Sequence, residues 1–127
     1  MRGTIVPNVK IAVVEHEKLT REFIVNVMMY CVNREIMAFE NGEGLLAYLQ
    51  AGGNINLVLA ETQLTGISGL NLLQSIKKSF PEIVFVTMSA NPADETPASE
   101  LGADAFLGKP FALRDMFDIV QQFVVGD

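Results

Sequence analysis

The sequence has little cysteine, little positive charge and no long apolar run, and each scarcity excludes a class of protein. Cys31 is the only cysteine, so no internal disulfide can form, and we expect a buried thiol in a reducing compartment. Nine basic residues against 15 acidic ones give a formal net charge of -6, which argues against a general nucleic-acid binder. No apolar stretch approaches the roughly 20 residues that span a bilayer, and the N-terminus lacks a signal-peptide core. These features predict a cytoplasmic protein without nucleic-acid or membrane partners.

The remaining composition is that of one globular domain. The chain has 127 residues, of which 50% are apolar and 19% charged, so it can bury an ordinary core. We expect residues 1–8 to form an N-terminal tail and residues 9–127 to form a single domain. The sequence contains no internal repeat, linker or low-complexity tract that would indicate a second domain.

Short apolar runs alternate with segments of helical periodicity along the whole chain. The predicted strands are Val9–Val14, Glu35–Phe39, Ile55–Ala60, Ile83–Met88 and Ala105–Leu107. The predicted helices are Lys18–Cys31, Glu43–Gln50, about Leu70–Ser79, and Leu113–Val125. The residues expected on the apolar faces of the first and last helices are Leu19, Phe23, Val27, Met28, Cys31, Leu113, Met116, Phe117, Val120 and Phe123. Alternating strands and helices predict a doubly wound α/β fold, in which right-handed crossovers cover both faces of a parallel sheet.

Between the fourth and fifth predicted strands the pattern is irregular. Pro92 fits the first turn of a helix, whereas Pro97 should break, kink or shorten whatever helix follows. We therefore expect no long helix between Asn91 and Glu100.

The polar residues that we take as site candidates lie just after four of the five predicted strands. Glu15 and His16 follow the first strand, and Glu61 follows the third. Ser89 follows the fourth strand, and Lys109 comes after the fifth. Parallel strands end at a common edge of the sheet, and ligands of open α/β sheets bind in the crevice at that edge. The sequence therefore predicts one site that combines carboxylates, an imidazole, a hydroxyl and an ammonium.

These segments resemble the receiver domain of two-component response regulators. The resemblance is carried by the segments IAVVEHE, ENGEGLLAYL, NLVLAETQLTGISGLNLL, FVTMSA and LGADAFLGKPF. It implies a flavodoxin-like (βα)5 sandwich with strand order 2-1-3-4-5 and a role in phosphorelay signal transduction. It further implies that Ser89 and Lys109 occupy phosphoryl-contact positions, that Pro110 follows a cis bond, and that Phe106 belongs to the switch and output surface.

Two positions of the site, Glu61 and His16, depart from the family pattern. The resemblance implies that Glu61 occupies the place of the phosphoacceptor aspartate, and that Glu15 and His16 occupy the acidic pair that holds Mg²⁺. A glutamate moves its carboxylate by about 1.5 Å, one bond length, and a misplacement of about 1 Å can cost on the order of a hundredfold in rate. Mg²⁺ demands octahedral oxygen ligands, which an imidazole does not supply. We therefore predict that phosphorylation is lost or severely impaired, with no cofactor and no enzymatic turnover.

The altered side chains suggest how the site is held instead. Our hypothesis is that an ion pair between Glu61 and Lys109 replaces the metal, with His16 near both Glu15 and Glu61. An imidazole between carboxylates favours its charged form. Glutamate can also be viewed as a mimic of phosphoaspartate, but it lacks the tetrahedral geometry and the additional charge.

Three functions stay open on the sequence alone. The first is a pseudo-receiver that binds a protein partner, such as a sensor histidine kinase or a downstream effector, without phosphorylation. The second is a functional phosphoacceptor that a histidine kinase phosphorylates with Mg²⁺. The third is a metal-dependent hydrolase that uses His16 and the carboxylates, since imidazole and carboxylate suit Zn²⁺ or Mn²⁺. We expect a monomer or a weak homodimer.

Overall fold

A five-stranded parallel sheet forms the centre of the molecule, whose computed structural model describes residues 10–31 and 35–125. Its strands are β1 (Lys10–Val14), β2 (Glu35–Phe39), β3 (Leu57–Glu61), β4 (Val84–Ser89) and β5 (Ala105–Gly108). They lie in the order β2-β1-β3-β4-β5, and every neighbouring pair is parallel. The fold class and the strand order expected from the sequence are both confirmed.

Helices cover both faces of this sheet. They are α1 (Lys18–Cys31), α2 (Gly42–Gln50), α3 (Gly69–Ser79), α4 (Glu95–Glu100) and α5 (Leu113–Val120), which a π-helical turn (Gln121–Val125) continues. On one face α1 and α5 pack with a core that includes Ile11, Ile24, Met28 and Met116. On the other face the helices from α2 to α4 pack with a core that includes Leu45, Leu72, Phe85 and Ala98. β1 and β3 are buried on both sides, which explains their nearly continuous apolar sequences.

The helix starts follow local capping rules. The side chain of Asn41 accepts a hydrogen bond from the Gly44 N–H and thereby begins α2, and Ser68 accepts one from Asn71 to begin α3. A 3₁₀ turn (Pro92–Asp94) leads into the six-residue α4. Pro97 lies in the first turn of α4, where its missing N–H costs no helical hydrogen bond. The expectation that no long helix forms here is confirmed.

The expected inward faces of α1 and α5 are partly wrong. Leu19 and Phe23 are 72% and 54% exposed, and Leu113 and Phe117 are 54% and 46% exposed. Both helices carry two apolar stripes at three- and four-residue spacing, but the sheet covers only one side of each helix. In α1 the sheet buries the stripe that contains Ile24 and leaves the stripe that contains Phe23 outside.

Several expectations concern parts of the chain outside the described residues. They include the N-terminal tail over residues 1–8, Val9 at the start of the first strand, and the side chains of Cys31 and Val120. Within residues 10–31 and 35–125, no helix combines the length and the apolar character that crossing a bilayer requires.

Candidate functional site

Two carboxylates and one ammonium meet at the carboxyl edge of the sheet. Glu15 directly follows β1, Glu61 ends β3, and Lys109 directly follows β5. The Nζ of Lys109 donates to Oε1 of Glu15 at 3.0 Å and to Oε1 of Glu61. The expected ion pair between Glu61 and Lys109 is therefore present, and Glu15 is a second partner of the same ammonium.

The other carboxylate oxygens also have partners within the chain. Oε2 of Glu15 accepts from the backbone N–H of Glu17 at 3.2 Å, and Oε2 of Glu61 accepts from that of Gln63 at 3.1 Å. Glu15 is fully buried and Glu61 is 3% exposed, so such partners are needed to offset the loss of water. Each of the four oxygens accepts at least one hydrogen bond from this chain.

The charge of Lys109 is favoured by its surroundings. Burial by itself would lower the pKa of this lysine, but its hydrogen bonds with Glu61 and Glu15, and the attraction of those charges, outweigh burial and raise the pKa. The Lys109 ammonium is therefore retained throughout the neutral pH range.

His16 lies beside Glu15 and does not bridge the two carboxylates. Its Nδ1 is 3.6 Å from Oε2 of Glu15, and its side chain is 45% exposed. Among the described ion pairs of 4 Å or less, none joins His16 to Glu61. The hypothesis that places His16 near both carboxylates is correct for Glu15 only. The backbone gives the reason: the N–H of Glu15 extends the pairing with β2 through Phe39, so Glu15 turns inward and the next side chain turns outward.

The loop after β1 is held by hydrogen bonds of its own. Glu17 accepts from the hydroxyl and the backbone N–H of Thr20 at the start of α1, and these bonds lower the pKa of Glu17. The guanidinium of Arg21 donates to the carbonyl of Glu15 at 2.8 Å. These contacts fix the loop that carries Glu15 and His16.

Ser89 is at the site's edge, with its hydroxyl engaged elsewhere. Ser89 ends β4 and is 2% exposed. Its Oγ donates to Oδ2 of Asp94 at 2.7 Å and accepts from the Asn91 N–H at 3.0 Å. Ser89 therefore contacts the segment that leads into α4, whereas Lys109 contacts the two glutamates.

Two residues near the site are not predicted by the sequence. The hydroxyl of Thr62, directly after Glu61, also donates to Oδ2 of Asp94, at 2.9 Å. Asp94 lies in the irregular segment, whose path depends on Asn91 capping the 3₁₀ turn and on Pro92 within it. An Asn-Pro pair is a sequence signal for a helix start, and it could have drawn attention to the acid two residues after Pro92.

The remaining two site candidates lie on and after β5. The Lys109–Pro110 peptide bond is cis, the isomer that the resemblance implies. Phe106 is partly exposed and pairs with Thr87 of β4. It lines a cavity of about 200 Å³ together with Ala98 of α4 and Asp104.

The donor set does not fit the Mg²⁺ that the resemblance implies. Lys109 already binds one oxygen of each glutamate, and backbone N–H groups bind the others. His16 offers a nitrogen where Mg²⁺ prefers an anionic oxygen. Within the described ranges, no three His, Cys, Asp or Glu side chains are grouped as a metal site.

The strand order of the sheet and the cluster of residues at its strand ends define a receiver domain. Residues 11–121 match the family model of the response regulator receiver domain. The protein belongs to this family of two-component signalling domains. Receiver domains interact with histidine kinases and effectors.

Relatives from plants and bacteria share about a third of the aligned residues. Two-component response regulator-like PRR37 of rice (Oryza sativa subsp. indica) is 32% identical over 121 residues, which cover 89% of this chain and 16% of that protein. Response regulator protein FleR of Pseudomonas aeruginosa is 28% identical over 119 residues, which cover 92% of this chain and 25% of FleR. The chain thus spans a quarter or less of either relative.

Solved receiver domains share the fold at lower identity. The signal receiver domain of an HD domain-containing protein from Pseudomonas fluorescens has a TM-score of 0.84 at 17% identity, with 91% of this chain and 94% of that chain covered. The response regulatory domain of MrkE from Klebsiella pneumoniae has a TM-score of 0.84 at 22% identity and the same coverage. These likenesses bear on the fold alone.

Proposed function

We propose that this chain is an atypical receiver domain that signals through protein–protein contact and does not accept a phosphoryl group on Glu61. The observation that carries the proposal is the pairing of Lys109 with both Glu15 and Glu61. In this arrangement the chain itself satisfies the buried carboxylates, so the pocket keeps one conformation without a divalent ion.

Charge counting supports the proposal. Two carboxylates and one ammonium give the site a formal charge of -1. An acid in place of His16 would bring the sum to -2, which one divalent cation would neutralise. The imidazole removes that additional negative charge, and with it much of the attraction for Mg²⁺.

The position of Glu61 supports it as well. Phosphoryl transfer needs the attacking oxygen in line with the leaving group, and its catalysis depends on positioning and on neutralised charge. The glutamate extends about one bond length, roughly 1.5 Å, beyond an aspartate. Its two oxygens are held by Lys109 and by the Gln63 N–H. Position and charge therefore both disfavour transfer.

The partner in this proposal is a protein, either a sensor histidine kinase or a downstream effector. The rice relative is named two-component response regulator-like PRR37. A region of Sensor kinase CckA of Brucella abortus is 31% identical to this chain over 85 residues. We propose that the domain spans residues 9–127, with residues 1–8 as a tail, and that it is a cytoplasmic monomer or weak homodimer. The partner surface that we propose comprises residues 92–109, which include Phe106, and α5.

Intact-mass spectrometry after incubation with acetyl phosphate and Mg²⁺ tests the proposal. We expect no adduct on the wild-type chain. A Glu61→Asp, His16→Asp double variant restores the family residues and should gain about 80 Da, the mass of one phosphoryl group. A stoichiometric gain on the wild type that disappears in Glu61→Gln would overturn the proposal and establish a working phosphoacceptor.

A further inference from the structure

One carboxylate joins the ends of two neighbouring strands to the start of α4. Oδ2 of Asp94 accepts from the Ser89 hydroxyl at 2.7 Å and from the Thr62 hydroxyl at 2.9 Å. Ser89 ends β4, and Thr62 directly follows β3. Both hydroxyl residues are buried, with Ser89 2% and Thr62 5% exposed. A half-buried acid therefore bridges two buried donors next to the site.

We propose that Asp94 is a positioning residue that holds the segment between β4 and α4 in one conformation, as an internal acceptor for the two hydroxyls. This inference deepens the proposed function, since that function requires a fixed surface without phosphorylation. Asp94 serves the same donor that the family resemblance assigns to a phosphoryl group, namely Ser89.

The bridge to Asp94 limits what the Ser89 hydroxyl can donate to. A serine hydroxyl has one proton to donate, and of the two acceptors within reach, Oδ2 of Asp94 at 2.7 Å is nearer than the Asn91 carbonyl at 3.3 Å. The same Oγ accepts the Asn91 N–H, so the hydroxyl is held from both sides. While the bridge exists, Ser89 cannot donate to an anion placed on Glu61. Release of Ser89 would require Asp94 to lose a charge-assisted hydrogen bond.

The backbone around Asp94 carries this restraint into α4. Its N–H donates to the Asn91 carbonyl at 3.0 Å, and the Asn91 side chain caps Ala93. The N–H of Thr62 donates to the Met88 carbonyl at 2.9 Å, which fixes Thr62 relative to β4. The bridge therefore ties a one-turn segment to the carboxyl ends of β3 and β4.

Hydrogen exchange of the amides in residues 90–101 tests the inference. We expect Thr62→Val to raise the exchange rate about tenfold, the effect of losing roughly one charge-assisted hydrogen bond, and Asp94→Ala, which removes the acceptor of both hydroxyls, to raise it further. The double variant should exchange no faster than the faster single variant, because both changes remove the same bridge. Thr62→Ser keeps the hydroxyl and should retain wild-type exchange, and so should Glu95→Gln, which alters the next acid along the chain.

Unchanged exchange in both single variants, or additive effects in the double variant, would overturn the inference. Thr62→Val keeps the shape of the side chain, so the test holds even where Asp94→Ala fails to fold. The same preparations treated with acetyl phosphate and Mg²⁺ separate the two proposals. A mass gain on the wild type counts against the proposed function alone, whereas the exchange rates decide the role of Asp94.

Discussion

Lys109 donates to Oε1 of Glu15 at 3.0 Å, although the two residues are 94 positions apart in the sequence. The contact exists because β1 and β5 end at the same edge of the sheet, where the residues that follow them come together. It makes one ammonium the shared partner of two buried acids.

The first prediction concerns the loss of that ammonium. Lys109→Met leaves Glu15 and Glu61 buried without their cation, and we expect the free energy of unfolding to fall by about 2–3 kcal/mol. This is below the value for a fully buried pair, because water still reaches part of the lysine. Chemical denaturation of the wild type and the variant measures this loss of unfolding free energy. Lys18→Met is the matched control, since Lys18 and Glu22 form an exposed pair at 3.9 Å and the change should stay below about 0.5 kcal/mol. Equal losses in both variants would contradict the assigned role of Lys109.

The second prediction concerns alkaline pH. The pKa of Lys109 is raised in the folded protein, so the unfolded chain loses this proton first as pH increases. The stabilisation from Lys109 is therefore complete below the unfolded pKa of about 10.4 and is lost as pH rises through the folded pKa. The difference in unfolding free energy between wild type and Lys109→Met should be constant from neutral pH up to that value and shrink above it. A difference that grows with alkaline pH would contradict this sign.

The third prediction concerns the two faces of α1. Ile24 is fully buried, so Ile24→Ala should lower the free energy of unfolding by about 2–5 kcal/mol. Phe23 is 54% exposed, so Phe23→Ala should cost about 1 kcal/mol or less, despite its larger side chain. Thermal or chemical unfolding of both variants compares them. A larger loss for Phe23→Ala would mean that the helix is rotated relative to this structure.

The fourth prediction concerns the close approach of α3 to the site. A Cβ on Gly69 would meet the carbonyl oxygen of Glu61 and lie 2.5 Å from the Cα of Thr62. Gly69→Ala should therefore destabilise the protein by about 1–3 kcal/mol. Gly108→Ala is the matched control, because no heavy atom lies within 4 Å of its Cβ position, and it should change stability by less than about 0.5 kcal/mol. If Gly69→Ala leaves the free energy of unfolding unchanged, the loop after β3 shifts to accommodate the added Cβ, and the prediction is wrong.

The sequence predicts the fold well because the spacing of apolar residues and the positions of turn residues are local signals. Apolar runs mark each strand to within a few residues, although Glu61 and Ser89 end their strands rather than follow them. Strand-end placement then predicts the meeting of Glu61 with Lys109, since parallel strands share one edge.

What the sequence does not predict depends on orientation. His16 follows Glu15 directly, and only the backbone path decides which of the two turns inward. Asp94 is reached through an irregular turn that has no periodic signal. The exposed stripe of α1, with Phe23, has the same spacing as its buried stripe, so periodicity alone cannot tell them apart.

We propose that Lys109 and backbone N–H groups bind the carboxylates of Glu15 and Glu61 in place of a metal. Titration of the protein with Mg²⁺, monitored by the amide NMR shifts of Glu17 and Gln63, is the most direct test of this proposal. These two N–H groups donate to the carboxylates of Glu15 and Glu61, so a metal bound there must disturb them. If Lys109 takes the place of the metal, neither amide shows a saturable shift at millimolar Mg²⁺. A saturable shift of both amides, with a dissociation constant in the millimolar range or below, would contradict it.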